Sequence, residues 1–84
     1  MVDTRRKRLL FRSLRRGTKE SDLVVGGFAK AHLQDMSEDQ LDRFEALLDL
    51  PDQDLLGWII GQAPIPRDFD HDVMAMMCAF KQSL

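Results

Sequence analysis

The densest cluster of chemistry-bearing side chains in this 84-residue chain is the run Arg16, Gly17, Thr18, Lys19 and Glu20. An arginine and a glutamate on either side of a glycine turn offer directional hydrogen bonds, and the arginine fork matches a carboxylate or phosphate bidentately. Glycine at the turn avoids the strain that any side chain would bring and leaves the backbone open to close approach. An architectural reading accounts for the same residues: Gly17 makes the turn, Arg16 answers the negative end of the helix before it, and Glu20 answers the positive end of the helix after it.

Other candidates are thinner. His32 and His71, with Asp70 and Asp72, have the residue types of a metal or acid-base site, but their spacing fits no ligand motif, and Asp70 and Asp72 read better as helix caps. Trp58 has the face to stack on a planar ring, yet its spacing to Leu55 and Ile59 is that of a core aromatic. Met74, Met76 and Met77 resemble an adaptable partner surface, with Met76 and Met77 expected in the core and Met74 and Cys78 facing away from it. Cys78 has no activating base nearby in sequence, so a nucleophilic role is not expected.

These residues need elements to hold them, and the periodicity is helical throughout. Residues 3–16 read as a first helix capped by Asp3 or Thr4, with Leu10, Phe11 and Leu14 on its apolar stripe and Gly17 at its end. A second helix begins near Lys19 or Glu20 and carries Val24, Phe28 and Ala31; Gly26 and Gly27 predict a close helix crossing. Ser37 and Gln40 form a capping box that opens a third helix with the stripe Leu41, Phe44, Leu47 and Leu48, which Pro51 terminates. Pro51 or Asp52 starts a short fourth helix burying Leu55, Trp58 and Ile59 and stopped by Gly61. After the rigid connector around Pro64 and Pro66, Asp68 or Asp70 caps a last helix with Val73, Met76, Met77 and Phe80 inward. No run alternates like a strand, so the expected fold is all-α: a single domain, residues 1–84, forming one compact bundle of about five short helices.

Composition narrows the functions. The formal net charge of -2 conceals a basic first segment: residues 1–20 carry +6 and residues 21–84 carry -8. A basic arm on an acidic body seeks phosphate, an acidic partner, or the rest of its own fold. A hydrophobic content of 44% with 31% charged residues argues against both disorder and a membrane span, and no apolar run approaches the roughly 20 residues that cross a bilayer. The single cysteine excludes an intrachain disulfide and fits a reducing compartment. The arginine-rich start resembles a mitochondrial transit peptide only superficially, since it runs without a linker into a turn and a second helix; a bacterial cytoplasmic location is expected.

The string RRGTKESD resembles the R-G-x-x-E signature of the SdhE family at Arg16, Gly17 and Glu20, with Asp22 continuing the match. A D-L-x-x-W pattern at Asp54, Leu55 and Trp58 follows an acidic helix of the kind that family carries, so the resemblance runs in register from about Arg8 to Phe80. Thr18 stands where the family usually has methionine, and the chain stops at Leu84 without the longer tail of some members. The resemblance implies a non-enzymatic chaperone that docks on the flavoprotein subunit of succinate dehydrogenase, or of fumarate reductase, and promotes covalent attachment of FAD to a histidine of that client. The FAD belongs to the client, and the factor itself binds no cofactor tightly. Arg16, Gly17 and Glu20, flanked by Arg15 and Asp22, are the implied partner-binding residues. A monomer is expected.

The main rival is nucleic-acid binding through Arg5, Arg6, Lys7, Arg8, Arg12, Arg15 and Arg16 on the basic first helix. The acidic remainder would repel a duplex, and no recognition helix with base-reading side chains follows the turn, so no nucleic-acid partner is expected. An enzyme fits worst, for lack of a convergent acid-base pair and of volume for a large pocket.

Overall fold

The basic segment forms helix α1 over Thr4–Ser13 in a computed structural model that describes residues 4–84. Asp3, one of the two expected caps, lies outside the described residues. The helix ends three residues before the expected Arg16, and its buried face differs from the expected stripe. Leu9 and Ser13 are buried, Leu10 packs at the edge of the core, and Phe11 and Leu14 are exposed. A polar residue occupies a core-facing position because Ser13 Oγ donates to the Leu9 carbonyl at 2.7 Å and leaves no unsatisfied group.

Residues 19–32 form one continuous helix, α2, made of Lys19–Ser21, a π-helical stretch Asp22–Gly26, and Gly27–His32. Val24 and Phe28 are buried as the spacing predicts, but Ala31 is exposed and Val25 and Ala29 are buried with them. The wider π turn rotates the apolar face by part of a turn, which a strict 3.6-residue period does not anticipate. The close crossing at the paired glycines is borne out. A Cβ on Gly26 would stand 2.8 Å from Leu14 Cδ2, and one on Gly27 would stand 3.2 Å from the Phe80 ring. Missing side chains there let α1 and the last helix approach the backbone of α2.

After a 3-10 turn at Leu33–Asp35, helix α3 spans Glu38–Leu48, opened by the full Ser37–Gln40 capping box. Its stripe Leu41, Phe44, Leu47 and Leu48 is buried throughout. Helix α4 spans Asp52–Ile59 directly after Pro51, and the left-handed Gly61 (φ +83°) turns the chain away. A second 3-10 turn at Arg67–Phe69 leads to helix α5, Asp72–Gln82. Its cap is neither Asp68 nor Asp70 but His71, whose Nδ1 accepts from the Met74 backbone N–H at 3.2 Å. Met74 faces the core with Val73 and Met77, contrary to the outward placement expected, while Met76 and Phe80 sit at its margin. The fold is all-helical, with no strand among the described residues.

Phe28 and Phe44 meet at the centre of the core, surrounded by Leu41, Leu47, Leu55, Val73, Met74 and Met77, all fully buried. Each such side chain contributes about 1.5–3 kcal/mol of transfer free energy. The basic arm is answered by the protein's own acidic helix. Arg5 pairs with Glu38, Asp42 and Glu45, and Arg12 with Asp49. Arg6 donates to the carbonyls of Leu33 and Met36, at the C-terminal end of α2 and the turn after it. Exposed pairs of this kind add at most about 1 kcal/mol each, but they fix which face of α1 lies against α3.

Candidate functional site

Between α1 and α2 the chain turns sharply, and the turn is where the sequence placed its candidate site. Gly17 has φ +98°, and a Cβ built on it would meet nothing within 4 Å, so the position is both left-handed and open to solvent. Thr18 caps α2 by accepting from the Ser21 backbone N–H at 3.2 Å. Arg15, Gly17, Thr18, Lys19 and Glu20 are all exposed. Asp22 is half-buried behind them and accepts from the Arg16 backbone N–H at 3.3 Å, bracing the turn from inside.

Arg16 points the other way. Its side chain is 7% exposed, and its guanidinium donates to Asp52 Oδ1 at 2.8 Å, to the Leu48 carbonyl at 2.6 Å and to the Leu50 carbonyl at 2.9 Å. The carboxylate that Arg16 meets is therefore Asp52, not Glu20, and the dipole it answers is the C-terminal end of α3, not that of α1. This corrects the picture of Arg16 and Glu20 as one outward-facing charged pair. Arg16 is the bolt behind the corner, and Glu20 and Arg15 are the charges in front of it.

Asp52 is the hub that sequence reasoning missed as a site residue. Besides Arg16 it accepts from Thr18 Oγ1 at 3.2 Å and, in a short bond, from Ser21 Oγ, which is fully buried. Burial works to raise the Asp52 carboxyl, but the hydrogen bonds from Ser21, Arg16 and Thr18 and the Arg16 charge outweigh it and hold the group below the ordinary carboxylate range. One ionised carboxylate thus ties the turn to the start of α4 across more than thirty residues of sequence. No local signal marks the partnership, since Asp52 reads only as an acid in a helix first turn. Thr18 gains a role here too: its hydroxyl serves both the α2 cap and Asp52, which a methionine at that place does not do.

Two open clefts border the corner. The first, of about 340 Å³, lies between the end of α1 and the α3–α4 junction, with Phe11, Arg12, Arg15 and Leu50 in its lining. Phe11 is 59% exposed, and the Arg15 guanidinium sits 4.6 Å from its ring centroid. That cation–π contact holds an aromatic and a charge together on the surface beside Gly17. The second cleft lies on the α4 side, below Glu20.

The remaining candidates serve the fold. His32 packs on Phe28 in a tilted arrangement at 4.9 Å and meets Phe80 edge-on at 6.1 Å, whereas His71 caps α5. Asp72 receives Gln40 and Arg43 from α3, the Gln40 hydrogen bond being the foremost cause that lowers its carboxyl. Trp58 is half-buried with one face stacked on Phe69 at 5.5 Å. Burial, with the charge of Asp70, pushes the Cys78 thiol up and keeps it protonated. What the corner offers is a rigid backbone turn, a cation beside an aromatic, and a carboxylate, groups suited to recognition.

The sequence profile of the Sdh5 family, described as "Flavinator of succinate dehydrogenase", matches residues 7–81. This chain belongs to that family. It is 36% identical over 76 residues to "Succinate dehydrogenase assembly factor 2, mitochondrial" of Dictyostelium discoideum, covering 90% of this chain and 54% of that protein. It is 41% identical over 64 residues to "FAD assembly factor SdhE" of Acetobacter pasteurianus, covering 76% and 59%. A succinate dehydrogenase assembly factor 2 of Meyerozyma guilliermondii is 39% identical over 79 residues, covering 89% and 58%. The chain spans somewhat more than half the length of these curated relatives. The family match contains the whole corner and both helices that Asp52 joins. None of the described helices is long and apolar enough to cross a membrane.

Proposed function

We propose that this protein is an assembly factor that binds the flavoprotein subunit of succinate dehydrogenase, or of fumarate reductase, and promotes covalent attachment of FAD to it. Family membership and the assembly-factor names of its relatives support the reading. The observation that carries it is the Gly17 corner: exposed, left-handed, and locked from behind by the Arg16–Asp52 latch. A docking surface keeps its affinity when its conformation is fixed before the partner arrives, because less ordering entropy is lost on binding. The contact residues in this reading are Gly17, Glu20 and Arg15, with Arg16 and Asp22 holding them in place.

The factor acts as a chaperone and not as an enzyme. Bond formation belongs to flavin and client; the factor stabilises the client conformation in which the accepting histidine meets the flavin. It carries no FAD of its own, works as a monomer, and acts wherever the newly made flavoprotein is found, the bacterial cytoplasm in the simplest case. The test is reconstitution: purified apo-flavoprotein and FAD are incubated with and without this protein, and covalent flavin is followed by in-gel fluorescence. Flavinylation at the same rate without the factor would remove the assembly role. Nucleic-acid binding loses its main support once Arg5, Arg6, Arg12 and Arg16 are engaged within the protein itself.

A further inference from the structure

Glu20 stands over the second cleft, an open hollow of about 380 Å³ between the start of α2 and the exposed side of α4. Leu56, Gly57 and Ile60 line it together with Gln53 and Gln62. Leu56, Gly57 and Ile60 are half-buried, so apolar surface remains within reach of solvent. Among the lining residues Glu20 is the single charge, and no cation of the described residues is paired with it. Gly57 keeps the hollow open: a Cβ there would meet nothing within 4 Å, in a helix interior where glycine is otherwise a poor choice.

An open cleft lined by Leu56, Gly57 and Ile60 together with the Glu20 carboxylate and the Gln53 and Gln62 amides suits one kind of side chain. Lysine and arginine lay an aliphatic stem along apolar surface and carry their charge at the tip. An acidic or purely apolar occupant would leave Glu20 unanswered. Resting on the proposed function for its partner, we propose that this cleft receives a basic side chain of the flavoprotein client. The stem lies on Leu56 and Ile60, and the charged head meets Glu20. The corner then has a polarity, with cations toward α1 and a carboxylate toward α4, which fixes the direction in which a client docks.

Gly57 supplies the test, because filling the cleft from that position does not disturb the fold. Full-length wild type, Gly57→Gln, Glu20→Gln and Gly17→Arg are titrated against purified apo-flavoprotein subunit of succinate dehydrogenase by isothermal calorimetry, and each variant is melted separately. Gly57→Gln is expected to melt at or above wild type and to bind at least about ten-fold more weakly; Glu20→Gln is expected to lose a similar factor together with part of the salt dependence. A client Lys→Glu or Arg→Glu variant that binds Glu20→Lys better than wild type identifies the basic partner. Unchanged binding by both Gly57→Gln and Glu20→Gln, with loss in Gly17→Arg, would overturn the cleft assignment and leave the docking role standing. Loss in Gly57→Gln alone would overturn the basic occupant. No binding by wild type would instead remove the proposed function.

Discussion

Replacing Arg16 by alanine tests whether this residue is a bolt of the fold or a contact for the client. Its side chain is 7% exposed and makes three hydrogen bonds, to Asp52 Oδ1, Leu48 O and Leu50 O. Removing one partner of a buried ion pair costs about 3–5 kcal/mol when the remaining charge is left uncompensated. Here the remaining charge is better placed: Asp52 keeps Ser21 and Thr18 and has a 20% exposed side chain. Water reaches it, so the lower end applies, and the two carbonyls at the end of α3 lose a charged donor that is only partly replaced by solvent. The expected loss is about 3 kcal/mol, a large share of the roughly 5–15 kcal/mol that stabilises a domain. At about 4–8 °C per kcal/mol for a domain of this size, the melting midpoint falls by about 12–24 °C. Urea unfolding followed by far-ultraviolet circular dichroism measures it directly.

Two companion variants separate mechanism from generic damage. Arg16→Lys keeps the charge but cannot reach three acceptors in a fork, so it recovers less than half of the loss. In a double-mutant cycle, Arg16→Ala and Asp52→Asn together cost less than the sum of the singles, with a coupling of about 1–2 kcal/mol. An Arg16→Ala protein within about 0.5 kcal/mol of wild-type stability would refute the latch and return Arg16 to the role of a client contact, since surface substitutions normally fall within that margin.

The lowered Asp52 carboxyl makes a pH prediction: a group depressed in the folded state contributes stability above its unfolded pKa and loses it as pH falls through the folded value. Stability of the wild type therefore declines on acidification below the ordinary carboxylate range, and Asp52→Asn flattens that part of the decline in denaturation curves taken from neutral to acid pH. Gly17→Arg places a side chain at φ +98° with open space around it, so it costs the fold only about 1 kcal/mol while blocking approach to the corner; pulldown of the flavoprotein should fail although the thermal transition survives. Gly26→Ala should destabilise by about 1–3 kcal/mol despite the better helix propensity of alanine, because its Cβ would stand 2.8 Å from Leu14 Cδ2; a melting point at or above wild type would show that α1 yields freely.

Local signals carried most of this fold into the sequence, and the exceptions share a physical cause. Ser37, Gln40, Pro51 and Gly61 act on the backbone within a few residues, so their effects are readable one element at a time. Leu41, Phe44, Leu47 and Leu48 keep a regular period and were placed correctly. The misplacements come where geometry departs from that period or where a partner is distant. Ala31 is exposed because five π-helical residues rotate the face of α2, and Phe11 is exposed because Ser13, satisfied by its own helix, takes the buried position. The site divides the same way. Gly17 announces its turn by type, but whether Arg16 faces out or in depends on Asp52, Leu48 and Leu50, more than thirty residues away, and nothing near Arg16 encodes them. Under the proposed function, neighbouring residues of one motif have opposite duties, Arg16 inward and Glu20 outward, so equal losses of client binding in Arg16 and Glu20 variants would arise by different routes. Stability measurements tell them apart, since only the Arg16 variant should lower the melting point.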